Sequence, residues 1–134
     1  MTTLLDTNIL IRHFTGDSPE LAHRATAYLR AASPGELLLL DLIAAEMVYV
    51  LQSVYLQPRD RIAGMLRSTL ALPAVRCEND TVLHRSIELY EAGAGWADAY
   101  LVAAAEHRGM LDIASFDRGI PRVPGVQRVE PPAL

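Results

Sequence analysis

Lysine is missing from this chain of 134 residues, and all twelve basic side chains are arginine. Genome base composition accounts for such usage, yet it has a chemical consequence: any mechanism that needs a catalytic lysine is excluded. Cysteine occurs once, as Cys77. A lone thiol supports no disulfide framework and suits a reducing cytoplasm, and Cys77 reads as a core residue. No apolar run approaches the ~18–20 residues that span a bilayer. The opening run has no basic flank and is broken by Asp6, so it reads as a strand and not as a signal peptide. His13, His23, His84 and His107 show no HExxH or paired-ligand spacing, which argues against zinc chemistry. A glycine-rich phosphate loop is absent too, since Gly93-Ala94-Gly95 follows a helical stretch. The net charge of −4 argues against gripping nucleic acid by bulk electrostatics.

What is present is a strongly apolar chain, 51% hydrophobic with a mean hydropathy of +0.16. That is enough to build one core, so residues 1–134 read as a single domain. Strand and helix alternate without a linker, a repeat or a low-complexity segment. Thr2–Leu5 reads as a buried strand, with Asp6-Thr7-Asn8 capping a short turn through Ile9–Phe14. Ser18-Pro19-Glu20 starts a helix over Leu21–Ala32, which Ser33-Pro34-Gly35 ends. Leu37–Leu40 is a second strand, and Asp41 caps a helix running to Tyr55. Pro58-Arg59-Asp60 opens a helix to about Leu70, and Val75–Cys77 is a third strand. Asn79 or Asp80 caps a helix to Ala92. Ala97–Arg108 is helical with Gly109 as its stop. Met110–Ala114 and Gln127–Val129 complete the strands. Such alternation predicts an α/β fold with a parallel sheet covered on both faces.

Four acids carry the chemical signal. Asp6 closes the first strand, where open α/β sheets bind ligands. Glu46 lies among Ala44, Ala45, Met47 and Val48, where a carboxylate needs a partner or a cleft. Asp98 falls in the first turn of a helix, and Asp117 follows the fourth strand. Each has an ordinary reading: a cap for Asp6, a helix-dipole partner for Asp98, a turn residue for Asp117. Brought together, four carboxylates repel unless cations lie between them, which points to Mg²⁺ or Mn²⁺ and to phosphoryl chemistry.

The ordered set resembles the PIN-domain ribonucleases, and within them the VapC-type toxins of bacterial VapBC toxin–antitoxin pairs. The resemblance is carried by Leu5-Asp6-Thr7-Asn8-Ile9-Leu10 and Ala45-Glu46-Met47-Val48-Tyr49-Val50-Leu51. Trp96-Ala97-Asp98-Ala99-Tyr100-Leu101-Val102-Ala103 and Ser115-Phe116-Asp117-Arg118 complete it, so it covers essentially the whole chain. It implies a three-layer α/β/α sandwich around a parallel sheet of four to five strands. It also implies cleavage of single-stranded RNA regions by water activated with Mg²⁺ or Mn²⁺. Asp6, Glu46, Asp98 and Asp117 would hold the metal, with Asp6 and Asp98 central. Thr7, Asn8 and Ser115 would be supporting polar groups. A cognate antitoxin lying over the acids, and a homodimer, are the partners it implies, in the cytoplasm and with no membrane.

Arg12 and Arg118, each close to an acid, are the candidate phosphate contacts, since guanidinium suits that geometry. Their ordinary reading is a solvated or salt-bridged surface arginine. Trp96 could stack a base or pack as core, while Tyr49, Tyr55 and Tyr100 read as core or interface. A haloacid-dehalogenase-type phosphatase would want a second acid where Asn8 stands, and lysine; a receiver domain fails on lysine too. The remaining alternative is a catalytically inactive PIN-like module that binds RNA or protein.

Overall fold

The computed structural model describes residues 2–109 and 112–134. Its elements run β1 (Thr3–Leu4), α1 (Thr7–Phe14), α2 (Pro19–Ala31), β2 (Leu37–Leu39), α3 (Asp41–Ser53) and α4 (Arg59–Ala71). They continue with β3 (Val75–Cys77), α5 (Asp80–Glu91), α6 (Trp96–Arg108), β4 (Asp112–Ala114) and β5 (Gln127–Val129). The class is the expected one, α/β with six helices and parallel strands. Met110 and Leu111, the first two residues of the expected fourth strand, lie outside the described residues. None of the described helices is long and apolar enough to cross a membrane.

The chain divides into two compact units, Met1–Asp80 and Thr81–Leu134. In the first, β1, β2 and β3 form a parallel sheet in that order, with Thr3 opposite Leu37 and Leu37 opposite Val75. Parallel neighbours need a crossover, and the α1–α2 and α3–α4 pairs supply it. The ladder runs one residue past β1, because the Leu5 N–H donates to Leu38 O at 3.0 Å. The core comprises Leu10 and Leu29 from the first helix pair, Leu37 and Leu39 from β2, and Met47, Leu51, Ile62 and Leu66 from the second pair. A hydrogen bond of 2.7 Å between His13 Nδ1 and Thr26 Oγ1 ties α1 to α2.

Two expected caps are not made by side chains. Asp6 occupies the N-cap of α1 with extended backbone, φ −87° and ψ 152°, but its carboxylate makes no capping bond. Asp41 is the first residue of α3, and Leu40 holds the cap position. A tertiary contact replaces the local one there: the Asp41 N–H donates to Glu78 Oε1 at 2.8 Å, from 37 residues away. Cys77 is half-buried and not a core residue. Its thiol donates to Asp80 Oδ1 at 3.0 Å, and burial followed by that acid pushes its pKa up to about 12.

In the second unit β4 and β5 pair in parallel, with Asp112 opposite Gln127. Leu83, Ile87 and Tyr90 of α5 and Val102 of α6 are fully buried. Arg85 of α5 binds Glu106 of α6, with Nε to Oε1 at 2.8 Å, and also pairs with Glu88. Helix α6 stops where expected: Gly109 takes φ 67°, a left-handed conformation that glycine adopts without a Cβ clash, and its N–H reaches Ala105 O and Glu106 O.

Leu39 is fully buried on the central strand of the first unit. Leu39→Ala is expected to cost about 2–5 kcal/mol, lost transfer energy plus a residual cavity. Urea unfolding of variant and wild type measures it; a loss under about 1 kcal/mol would mean the sheet repacks around the gap.

Candidate active site

Each unit carries two of the four acids. In the first, Asp6 follows β1 directly, so the strand end delivers its carboxylate exposed and, with no capping bond, available to another group. Thr7 and Asn8 open α1 behind it, Thr7 buried at 5% exposure and Asn8 exposed. Burial of the Thr7 hydroxyl requires a partner, and it finds one 39 residues on by donating to Glu46 Oε2 at 3.0 Å. Glu46 is therefore not a charge buried among the apolar residues of α3. It projects from an exposed position while Met47 and Val48 beside it are buried. The Thr7 bond links the Asp6 segment to Glu46 through a side chain whose rotamers are restricted by β-branching.

Asn8 and Arg12 lie one turn apart on α1 and line a groove of about 460 Å³ with Arg24 and Tyr28 of α2. Arg12 is half-buried.

In the second unit, Asp98 lies in the first turn of α6 and Asp117 in the turn after β4. Their carboxyl groups share a hydrogen bond. Burial, the charge of Asp117 and that bond raise the Asp98 pKa above its usual 3.8, in that order of importance. Asp117 is itself held by a local turn. Its Oδ1 accepts the Gly119 N–H at 2.7 Å, and its own N–H donates to Ser115 Oγ at 2.9 Å. Because Ser115 Oγ accepts there, its hydroxyl proton remains for another acceptor. Arg118 is exposed beside it. Trp96 is half-buried, edge-on to the buried Tyr90 ring with centroids 5.7 Å apart, which makes it a packing residue.

The structure thus joins Asp98 to Asp117, and Glu46 to the Asp6 segment through Thr7. Among the described residues it gathers no group of three or more His, Cys, Asp or Glu side chains. Every donor in both pairs is an oxygen, the set that suits Mg²⁺ or Mn²⁺ over softer metals. Two carboxyl groups sharing a hydrogen bond are a place where a hard cation would replace a proton.

Gly119 did not stand out in the sequence, although Asp117-Arg118-Gly119 carries a readable signal. An Asp followed two residues later by an N–H donor is the pattern of an Asx-turn. A Cβ on Gly119 would lie 3.0 Å from Asp117 Oδ1, so the glycine allows that close approach.

The Asp98 shift has a definite sign. A carboxyl whose folded pKa lies above its unfolded value binds more protons in the native state, so stability falls as pH rises from 3.8 through the raised value. In EDTA, the Tm of the wild type is expected to decline over that window. Asp98→Asn, which keeps the shape without the charge, should be at least as stable as wild type at pH 7. A clear loss of Tm in Asp98→Asn at pH 7 would show that the ionised pair is net stabilising.

No curated protein matches the chain. The PIN domain family, whose members are generally nucleases, matches residues 3–126 and so runs across both units and all four acids. With 124 of 134 residues inside that match, and with α/β elements and parallel strands, the chain belongs to the PIN domain family.

Proposed function

We propose that this PIN domain is a Mg²⁺- or Mn²⁺-dependent endoribonuclease, working as one domain over residues 1–134. We further propose that it is the toxin of a toxin–antitoxin pair, cytoplasmic and held inactive by a cognate antitoxin. Asp6, Glu46, Asp98 and Asp117 are the metal-holding and catalytic acids in this reading. The observation that carries it is the hydrogen-bonded Asp98–Asp117 pair, a costly arrangement that a cation relieves.

Divalent cations, when bound to such carboxylates, activate water and neutralise charge on the phosphate. The chain's own residues do the rest. Thr7 fixes Glu46 through its hydroxyl, and the Gly119 N–H fixes Asp117. Asn8 and the free hydroxyl proton of Ser115 orient water or phosphate oxygens. Arg12 and Arg118 contact phosphates, each able to bind two oxygens with its planar fork. With no lysine and no acid–histidine pair assigned to the site, proton transfer falls to the carboxylates.

Purified chain is expected to cut a mixed RNA pool with Mg²⁺ or Mn²⁺ and to stop in EDTA. Asp6→Asn and Asp98→Asn should each lower the rate by at least about 10²-fold, the scale seen when a charge-stabilising group is removed, while circular dichroism stays native. Metal-dependent cutting that survives both substitutions would remove these acids from the mechanism. Folded protein that binds RNA and cuts nothing with either metal would identify an inactive binding module instead.

Apolar residues left outside the core support the partner part of the reading. Leu42 is 75% exposed, Tyr49 68% and Val54 66%, all on α3 or at its end, and Leu56 just beyond is 79% exposed. Leu56 also holds φ 52°, a left-handed conformation that costs a leucine about 1–2 kcal/mol. On α2, Leu21 and Tyr28 are exposed as well. In this reading they belong to a surface that another chain covers. Light scattering at micromolar concentration should give a dimer, or a complex with a co-purifying antitoxin; a lone monomer would set the partner reading aside.

A further inference from the structure

Beyond Asp117 the chain makes a basic cavity that the acid pairs do not explain. It has a volume of about 450 Å³ and is walled by Arg118, Arg122 and Arg128, with Ile120, Pro121 and Val126 as apolar lining. None of its lining residues is acidic. Arg118 and Arg122 are exposed and form no ion pair among the described residues. Arg128 is anchored: its Nη1 donates to Ser115 O at 2.8 Å and to Glu130 Oε1 at 3.0 Å. That leaves its Nε and Nη2 donors for another acceptor.

The loop that carries these arginines is stiffened locally. In Val123-Pro124-Gly125-Val126 the Val126 N–H donates to Val123 O at 3.2 Å, and Gly125 takes φ 84°. Proline at the second position and a glycine of that φ at the third make a type II turn. At the other end, the Asx-turn at Asp117 fixes the start of the loop. A loop backbone held at both ends, with Arg128 anchored, leaves mainly the Arg118 and Arg122 side chains to order when an anion binds.

We propose that this cavity is a subsite for the phosphodiester backbone of single-stranded RNA, which seats the strand beside Asp117. The inference rests on the nuclease reading and names how that site holds its substrate. Guanidinium groups match phosphate oxygens in pairs, and the cavity falls in the ~300–1,000 Å³ range of ligand pockets, the scale of a nucleotide and not of a duplex. The apolar lining receives a ribose or the face of a base without hydrogen-bond readout, so the subsite discriminates little between bases. It also answers the objection from net charge. A chain of −4 can still hold RNA when its arginines are concentrated where the strand passes.

The test uses the full chain in EDTA, so that no RNA is cut, with a short fluorescent single-stranded RNA followed by anisotropy between about 50 and 200 mM salt. Arg118→Ala and Arg122→Ala are each expected to weaken binding several-fold. Each should also lower the slope of log affinity against log salt by about 0.7, the value per phosphate contact on a single strand. Arg61→Ala, on the exposed side of α4, should change neither. Unchanged affinity and slope in a natively folded Arg118→Ala/Arg122→Ala double variant would overturn the proposal. So would a wild type that ignores RNA yet binds a polyglutamate peptide through the same two arginines. Failure of the nuclease reading looks different. A wild type that binds RNA through these arginines but cuts none with either metal leaves the subsite standing. A wild type that cuts, with a double variant that binds and cuts equally well, removes only the subsite.

Discussion

Two carboxyl groups close enough to share a hydrogen bond repel once both are ionised, and the turn after β4 is built around that repulsion. Asp98 sits where desolvation already disfavours its charge, and Asp117 adds to the effect. The fold keeps both in place with ordinary interactions spent around them: the Gly119 N–H on Asp117, the Ser115 hydroxyl on the Asp117 N–H, and the first turn of α6 beneath Asp98. A helix N-terminus offsets part of the charge through its dipole, and two bonds from neighbouring groups prevent Asp117 from swinging away.

In the first unit the residue after a strand-end acid is tied to a helical acid, Thr7 to Glu46. Strand β1 is short, and its register on β2 is extended by Leu5, whose burial fixes which way the chain leaves the sheet. Asp6 then occupies a helix cap without acting as one, which leaves its carboxylate uncommitted. The buried Thr7 hydroxyl needed an acceptor, and Glu46 is that acceptor, so packing and the site are served by one bond. Where a side-chain cap was expected at α3, Glu78 supplies the acceptor from the end of β3.

Much of the element order was legible because its signals are local. Val75–Cys77 and Gln127–Val129 coincide with β3 and β5, and Gly109 ends α6 through a left-handed φ that its residue type permits. Proline at the start of α2 and the apolar run of β2 read equally clearly. What local signals could not separate was inside from outside on strongly apolar helices. Apolar residues fill α3 without a break over Leu42–Ala45 and Met47–Leu51, so periodicity does not choose between Tyr49, which is exposed, and Met47, which is buried. Cys77, at the end of the short strand β3, was misplaced because its half-burial and its bond to Asp80 are set by tertiary packing.

The amino-acid sequence by itself determined the α/β class, the order of the elements and the absence of lysine chemistry. Those follow from residue type and spacing, which act over a few positions along the chain. Only the tertiary structure decided that Thr7 reaches Glu46, that Asp98 comes within hydrogen-bonding reach of Asp117, and that Arg118, Arg122 and Arg128 wall one cavity. Those contacts join residues from four to 39 positions apart, through loops and crossovers whose closure no local pattern encodes. Their energies come from burial and from charge at short range, and both exist only once the chain has folded.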